Sequence, residues 1–286
     1  MKDFYFHNPQ TIGEALSILT EHGEDARPIS GGTAMVNLLK QSLIFANHMV
    51  SLRKLPGLND ILFADGQLHV GALVTHQEMV TSDLVKEHVP LLSEVYSRIA
   101  TVKIRNMGTV GGGLAHADPS QDPPPALIIL GAQIRLVSGH GERVLEISDL
   151  FKDYYETAIE ADEILTEIIV PAVDQDAASA YLKFLPRTAD DYPTVGVAVT
   201  AKVEDDRFVT VGVALNAVAP TPVRATSVEE ALVGQHVTVE AIRDASELVR
   251  QHLDPLDDYR GSADYKRDMA VVFTRRALQQ AAGLSK

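Results

Sequence analysis

Apolar positions along the chain alternate between two periods. Ile12, Ala15, Leu16 and the Ile18-Leu19 pair recur at helical spacing behind Thr11, so residues 10–22 read as a helix with Thr11 as N-cap. ARPISGG then reads as a short strand ending in a glycine pair, Ala34–Leu39 as a helix and HMVSLRK as a strand. Residues 60–80 read as a hairpin, DILFA and QLHVGALVT joined by a turn at Asp65-Gly66. The spacing predicts a helix from about Thr81 to Ala100. Strands are expected at AQIRLVS, RVLEIS and ILTEIIVPA.

The polar, small-residue segment Val173–Ser179 is the expected linker. Beyond it the period-2 runs YLKFL, VGVAVTAKV and FVTVGVALNAV predict a sheet with an Asp-Asp turn, and residues 238–252 and 262–282 carry helical spacing. Strands followed by helices predict an α+β architecture with two parts, residues 1–175 and 176–286.

Composition narrows the chemistry. Of 286 residues, 45% are apolar and 22% charged, enough to bury real cores, and the formal net charge is −14. A nucleic-acid binder needs a basic face to neutralise phosphates, so nucleic acid is a poor partner for this chain. There is no cysteine, so an iron–sulfur cluster, a thiolate zinc site or a disulfide has no ligand here. The N-terminus lacks a signal-like apolar core and no apolar run reaches bilayer length; the chain reads as cytoplasmic, with no membrane span.

Two glycine segments carry the candidate chemistry. The first, Ile29-Ser30-Gly31-Gly32-Thr33-Ala34, fits a phosphate nest, in which paired glycines bring backbone amides close and Thr33 adds a hydroxyl. A tight turn fits it too. The second is Ile104-Arg105-Asn106-Met107-Gly108-Thr109-Val110-Gly111-Gly112-Gly113, with four glycines in its last six residues. So many glycines cost ordering entropy, and close approach to a flat or anionic ligand explains them more economically than a turn. Together the two segments suggest a dinucleotide pyrophosphate held between separate backbone nests. No catalytic residue is identified. No metal site is expected either, because no histidine pair shows ligand spacing beside a carboxylate. His76 and His116 are the histidines nearest the motifs, and a structural role suits them.

With these residues in place, the sequence resembles the FAD-binding medium subunit of the molybdenum hydroxylases, the carbon monoxide dehydrogenase and xanthine dehydrogenase family. The family pattern A-G-G-x-S/T is matched by SGGT at 30–33. The pattern I-R-N-x-G-T-x-G-G-N is matched by IRNMGTVGGG at 104–113, and A-x-x-D-P by AHADPSQD at 115–122. KFLPRTADDYPTVGVAV at 183–199 and GSADYKRDMAVVFTRRAL at 261–278 extend the likeness to the C-terminal part. Gly113 stands where many relatives have Asn, and Ser30 replaces a frequent Ala.

The resemblance implies a two-lobed FAD-binding domain of the vanillyl-alcohol-oxidase (PCMH) type, with lobes near 1–55 and 56–175, followed by a smaller α+β domain. It implies that Ile29, Ser30, Gly31, Gly32, Thr33 and Ala34 line the pyrophosphate, with Gly108, Thr109, Gly111, Gly112 and Gly113 forming the second nest. Asp122 would hold a hydroxyl of the ribose or ribityl chain, Lys183 and Tyr192 would lie by the flavin ring, and Leu165 would pack near the adenine or flavin. The implied partners are a large molybdenum–pterin subunit and a small subunit with [2Fe-2S] clusters, in a dimer of heterotrimers. In that assembly the chain would pass electrons from the clusters to an external acceptor. The alternative is a self-sufficient flavin oxidase or dehydrogenase of a small substrate.

Overall fold

The computed structural model describes residues 2–174, 176–186 and 192–284. Its first lobe is a parallel three-stranded sheet in the order β1-β3-β2, formed by β1 (Tyr5–His7), β2 (Ala26–Ile29) and β3 (His48–Ser51). The connections run through helices α1 (Ile12–His22) and α2 (Met35–Lys40). Thr11 caps α1 by accepting from the Glu14 amide, and Gly23 ends it in a positive-φ conformation. Ala15, Leu16 and Leu19 on one face of α1 bury against Ala26, Val50 and Leu52. Pairing with β3 carries β2 to Ile29, so Ser30 leaves the sheet at its carboxyl end.

The second lobe is an antiparallel five-stranded sheet, order β4-β5-β10-β6-β7. Strands β4 (Ile61–Ala64) and β5 (Gln67–Gly71) make the expected hairpin, with Asp65 and Gly66 both at positive φ. The strand expected over QLHVGALVT stops at Gly71, and Thr75 becomes the N-cap of the next helix, in a capping box with Glu78. The single helix expected from Thr81 to Ala100 is two, α4 (Asp83–His88) and α5 (Pro90–Ser97), behind a third, α3 (His76–Thr81). Ser82 ends one helix and caps the next, while the proline after Val89 keeps that residue out of helical conformation. Periodicity persists across such breaks because all three helices bury the same side.

Then come α6 (Val102–Arg105), α7 (Val110–His116), α8 (Pro123–Ile129), β6 (Gln133–Ser138), β7 (Gly141–Glu146), α9 (Ile147–Leu150), β8 (Phe151–Asp153), β9 (Glu156–Thr157) and β10 (Ile164–Pro171). Helix α8 opens on three prolines, tolerated because first-turn amides have no partner within a helix.

The C-terminal part is an antiparallel meander of β11 (Ala177–Phe184), β12 (Val195–Glu204), β13 (Arg207–Asn216) and β14 (Val223–Arg224). Asp205 and Asp206 turn the β12–β13 hairpin with both residues left-handed. One face carries α10 (Thr226–Leu232), α11 (Val239–Glu247) and α12 (Ala263–Ala281) around a core that includes Val197, Val199, Val213, Leu215 and Leu278. Helix α8 packs against the opposite face, on β12 and β13. The expected linker is shorter than its composition suggests, because β11 begins at Ala177 and pairs with β12 from that residue.

Candidate functional site

The two glycine segments meet. Ser30 Oγ lies 2.9 Å from Thr109 Oγ1. Hydrogen bonds fold the second segment against the start of α3: the Val110 amide donates to the Val74 carbonyl at 2.9 Å and the His76 amide to the Gly108 carbonyl at 3.0 Å. Thr109 is the N-cap of α7 and accepts from the Gly112 amide at 3.1 Å. The Ser30–Thr109 bond uses one of the two hydroxyl hydrogens, so one O–H of the pair is left to donate to a further acceptor.

Beside this pair, no described residue accepts a hydrogen bond from the backbone amides of Gly31, Gly32, Thr33 or Ala34. Four consecutive amides and a spare hydroxyl form the donor set that an anionic diphosphate requires. Helices α2 and α7 have only six and seven residues, so local amides rather than a summed dipole supply the positive potential. The Gly31 backbone presses on the Met107 carbonyl, leaving no space for a Cβ, and Gly32 takes φ +73°.

The glycines of the second segment differ in their surroundings. Gly111, Gly112 and Gly113 lie in the first turn of α7 rather than in an open nest. A Cβ at Gly108 would press on the His76 ring and one at Gly111 on Ala72, so protein packing accounts for those two glycines. Gly112 faces the Ser30 and Thr109 hydroxyls. Gly113 has room, with the nearest atoms 3.4 and 3.5 Å from a Cβ placed there.

The residues after α7 tie this segment to the C-terminal sheet. Asp122 accepts from the Tyr181 hydroxyl at 2.6 Å and from Lys183 Nζ at 2.9 Å, and Lys183 also donates to the Arg98 carbonyl at 2.9 Å. The side chains of this ion pair are 4% and 5% exposed. Burial pushes the Asp122 carboxyl above its ordinary range, against the opposing pull of Lys183 and Tyr181. Asp122, expected to hold a cofactor hydroxyl, and Lys183, expected beside a flavin ring, pair with each other. Asn216 on β13 donates to the Gln121 carbonyl, and the Ala217 amide donates to the Pro119 carbonyl at 2.9 Å.

Comparison with known proteins agrees with this geometry. Residues 2–173 match the model of the FAD-binding domain in molybdopterin dehydrogenases, and residues 180–281 match the carbon monoxide dehydrogenase flavoprotein C-terminal domain. The chain belongs to the FAD-binding medium subunits of the molybdenum hydroxylases. It is 35% identical over 283 residues to the carbon monoxide dehydrogenase medium chain of Afipia carboxidovorans, covering 99% of this chain and 98% of that protein. It is 30% identical to the glyceraldehyde dehydrogenase medium chain of Sulfolobus acidocaldarius, covering 98% of this chain and 99% of that one. A solved carbon monoxide dehydrogenase from Hydrogenophaga pseudoflava superposes with a TM-score of 0.96 at 33% identity, over 100% of this chain and 99% of its counterpart.

In this medium subunit, sequence reasoning missed a polar cluster behind the second segment. Asp118 accepts from the Ser120 amide at 2.9 Å and from the Tyr155 hydroxyl at 3.2 Å. Burial and the Asp118 charge push the Tyr155 phenol up to about 12. Arg260, just ahead of α12, donates to Ser120 Oγ at 3.4 Å and stands over the rings of Tyr259 and Tyr192, 4.8 and 5.9 Å from their centroids. Burial raises the Tyr192 phenol as well. No motif marked Arg260, since 140 residues separate it from Ser120.

The remaining candidate residues of the medium subunit sit as follows. Leu165 lies on β10 opposite Leu136, buried in the main core. His76 is buried beside Tyr96, and burial, with the nearby Arg105 charge, lowers its pKa to about 4. His116 packs against the Tyr155 ring. Asp190 and Asp191 lie outside the described residues. Among the described residues, no helix is long and apolar enough to cross a membrane.

Proposed function

We propose that this medium subunit relays electrons in the cytoplasm, receiving them from iron–sulfur clusters of a small partner subunit and handing them to an external acceptor. A large molybdenum–pterin subunit would carry out substrate hydroxylation, with the three chains in a dimer of heterotrimers. Bound FAD supplies the two-electron capacity that links one-electron donors to the acceptor. The observation that carries the reading is the donor set at Ser30–Ala34 and Thr109, four amides without an acceptor among the described residues beside a spare hydroxyl.

The chain's own residues then have separable tasks. Gly31, Gly32, Thr33 and Ala34 would present amides to the diphosphate, and the Ser30–Thr109 pair joins the two lobes beside them. Asp122, Tyr181 and Lys183 fasten the segment after α7 to the C-terminal sheet, holding the second wall of the site at fixed distance. Tyr192, backed by Arg260, is the aromatic residue suited to border the isoalloxazine. The separate three-, five- and four-stranded sheets support a division at residue 175, with flavin-binding lobes of 1–55 and 56–175.

The relay is tested by co-expressing the chain with its partner subunits. In the complex, the hydroxylase substrate should bleach the flavin absorbance near 450 nm, and this chain alone with FAD should not turn over that substrate. Turnover by the isolated chain would instead establish a self-sufficient flavoenzyme.

A further inference from the structure

We propose that His7, His22 and His48 form a site for a divalent transition metal on the first lobe, with zinc the metal its donor set fits best. Sequence spacing hides the site because its members come from three elements. His7 ends β1, His22 ends α1 and His48 opens β3. The parallel register sets His48 opposite Tyr5, two residues from His7, so strand alternation turns the His7 and His48 side chains to one face. Helix α1 returns across that face and delivers His22 in its last turn.

One ring nitrogen from each of the three lies within 4.8 Å of the others. His7 Nε2 and His48 Nδ1 are 2.9 Å apart, and the His22 ring stacks on His48 with centroids separated by 3.6 Å. All three residues are partly buried. The lobe therefore holds three imidazoles whose six nitrogens find one hydrogen bond among the described residues.

Simple packing explains this arrangement poorly. Desolvation first, and the His22 and His7 charges next, lower the His48 pKa. Neutral rings have free lone pairs, the form in which histidine ligates metal. The carboxylates of Asp25 and Glu21 are near enough to act on His48, which favours a cation there. A tetrahedral zinc with bonds of about 2.0–2.1 Å needs ligand nitrogens roughly 3.3 Å apart. Binding the metal would open the His7–His48 contact from 2.9 Å and swing the His22 ring off its stack on His48. A nitrogen-only set suits zinc, copper or nickel and disfavours magnesium or calcium, which take oxygen ligands. Three protein ligands leave a fourth position for water or a carboxylate, so the site should exchange its metal.

Such a metal would tie β1, α1 and β3 together. Strand β3 also pairs with β2, which leads into Ser30. The site would thus brace the sheet that presents the first glycine segment without touching that segment.

The test uses the full chain loaded with FAD, carrying no affinity tag and stripped by a chelator, then titrated with Co(II) and challenged with Zn(II). We expect one equivalent of cobalt with visible d–d absorption, displaced by zinc. Affinity should fall more than tenfold in His7→Ala, His22→Ala and His48→Ala, and hold in His69→Gln and His252→Gln. Unchanged FAD content shows that each variant has folded. If one does not fold, a measurement on the wild type decides: Zn(II) should shield His7, His22 and His48 from diethyl pyrocarbonate while His140 and His236 react. Absence of saturable cobalt binding, equal affinity in the three variants, or modification indifferent to zinc would overturn the proposal.

Discussion

Ser30 Oγ and Thr109 Oγ1 stand 2.9 Å apart although 79 residues separate them in the chain, and this contact joins the end of β2 to the cap of α7. It brings one lobe's free amides against the other lobe's helix start. The two threads of the pair carry different loads. Thr109 also caps α7 through the Gly112 amide, so Thr109→Ala should cost about 1 kcal/mol of stability as well as weakening FAD binding. Ser30→Ala should weaken FAD binding with little effect on stability, and Thr109→Ser should retain both. Flavin fluorescence titration beside denaturant unfolding separates the two effects.

The glycines divide by what surrounds them. Gly31→Ala drives a methyl into the Met107 carbonyl, and overpacking of that kind costs about 1–3 kcal/mol or displaces the loop. FAD affinity should drop at least tenfold. A Cβ at Gly113 meets only ordinary contacts, so Gly113→Ala should keep affinity within a factor of about three, where 1.4 kcal/mol would be tenfold.

Much of this was legible in the sequence, for identifiable reasons. The Thr11 cap, the Asp65-Gly66 hairpin and the Asp205-Asp206 turn are local chemistry, and each stands where the residues imply. What was hidden is non-local. Asp122 reads as a polar residue near a phosphate site until Tyr181 and Lys183, on a strand about 60 residues later, prove to be its partners. The glycine run reads as four ligand-facing positions until His76 and Ala72 are seen to require two of them. His7, His22 and His48 share no spacing that marks them as neighbours.

The Asp122–Lys183 pair predicts strong non-additivity. Lys183→Met leaves a buried carboxylate without its cation and should destabilise by roughly 3–5 kcal/mol. Asp122→Asn in the same chain should recover much of that loss. Urea unfolding of the two single variants and the double variant closes the cycle, and additive losses would show that the pair does not act as a unit.

His76 predicts a dependence on acid. Its folded pKa of about 4 lies below the unfolded value of about 6.5, so the unfolded chain takes up a proton first as pH falls. Its contribution is intact above pH 6.5 and drains between 6.5 and 4, reaching about 3 kcal/mol at the lower end. His76→Gln should flatten this slope in stability measured from pH 7 to pH 4.5; an unchanged slope would assign it to other groups.

The most direct test of the account is an FAD titration of the chain followed by its visible spectrum, with Ser30→Ala and Thr109→Ala beside the wild type and the co-expressed complex as reference. The account predicts saturable one-to-one binding by the wild type and weaker binding by both variants. Absence of saturable binding in both chain and complex, or binding that ignores both substitutions, would contradict a cofactor held where the two glycine segments meet.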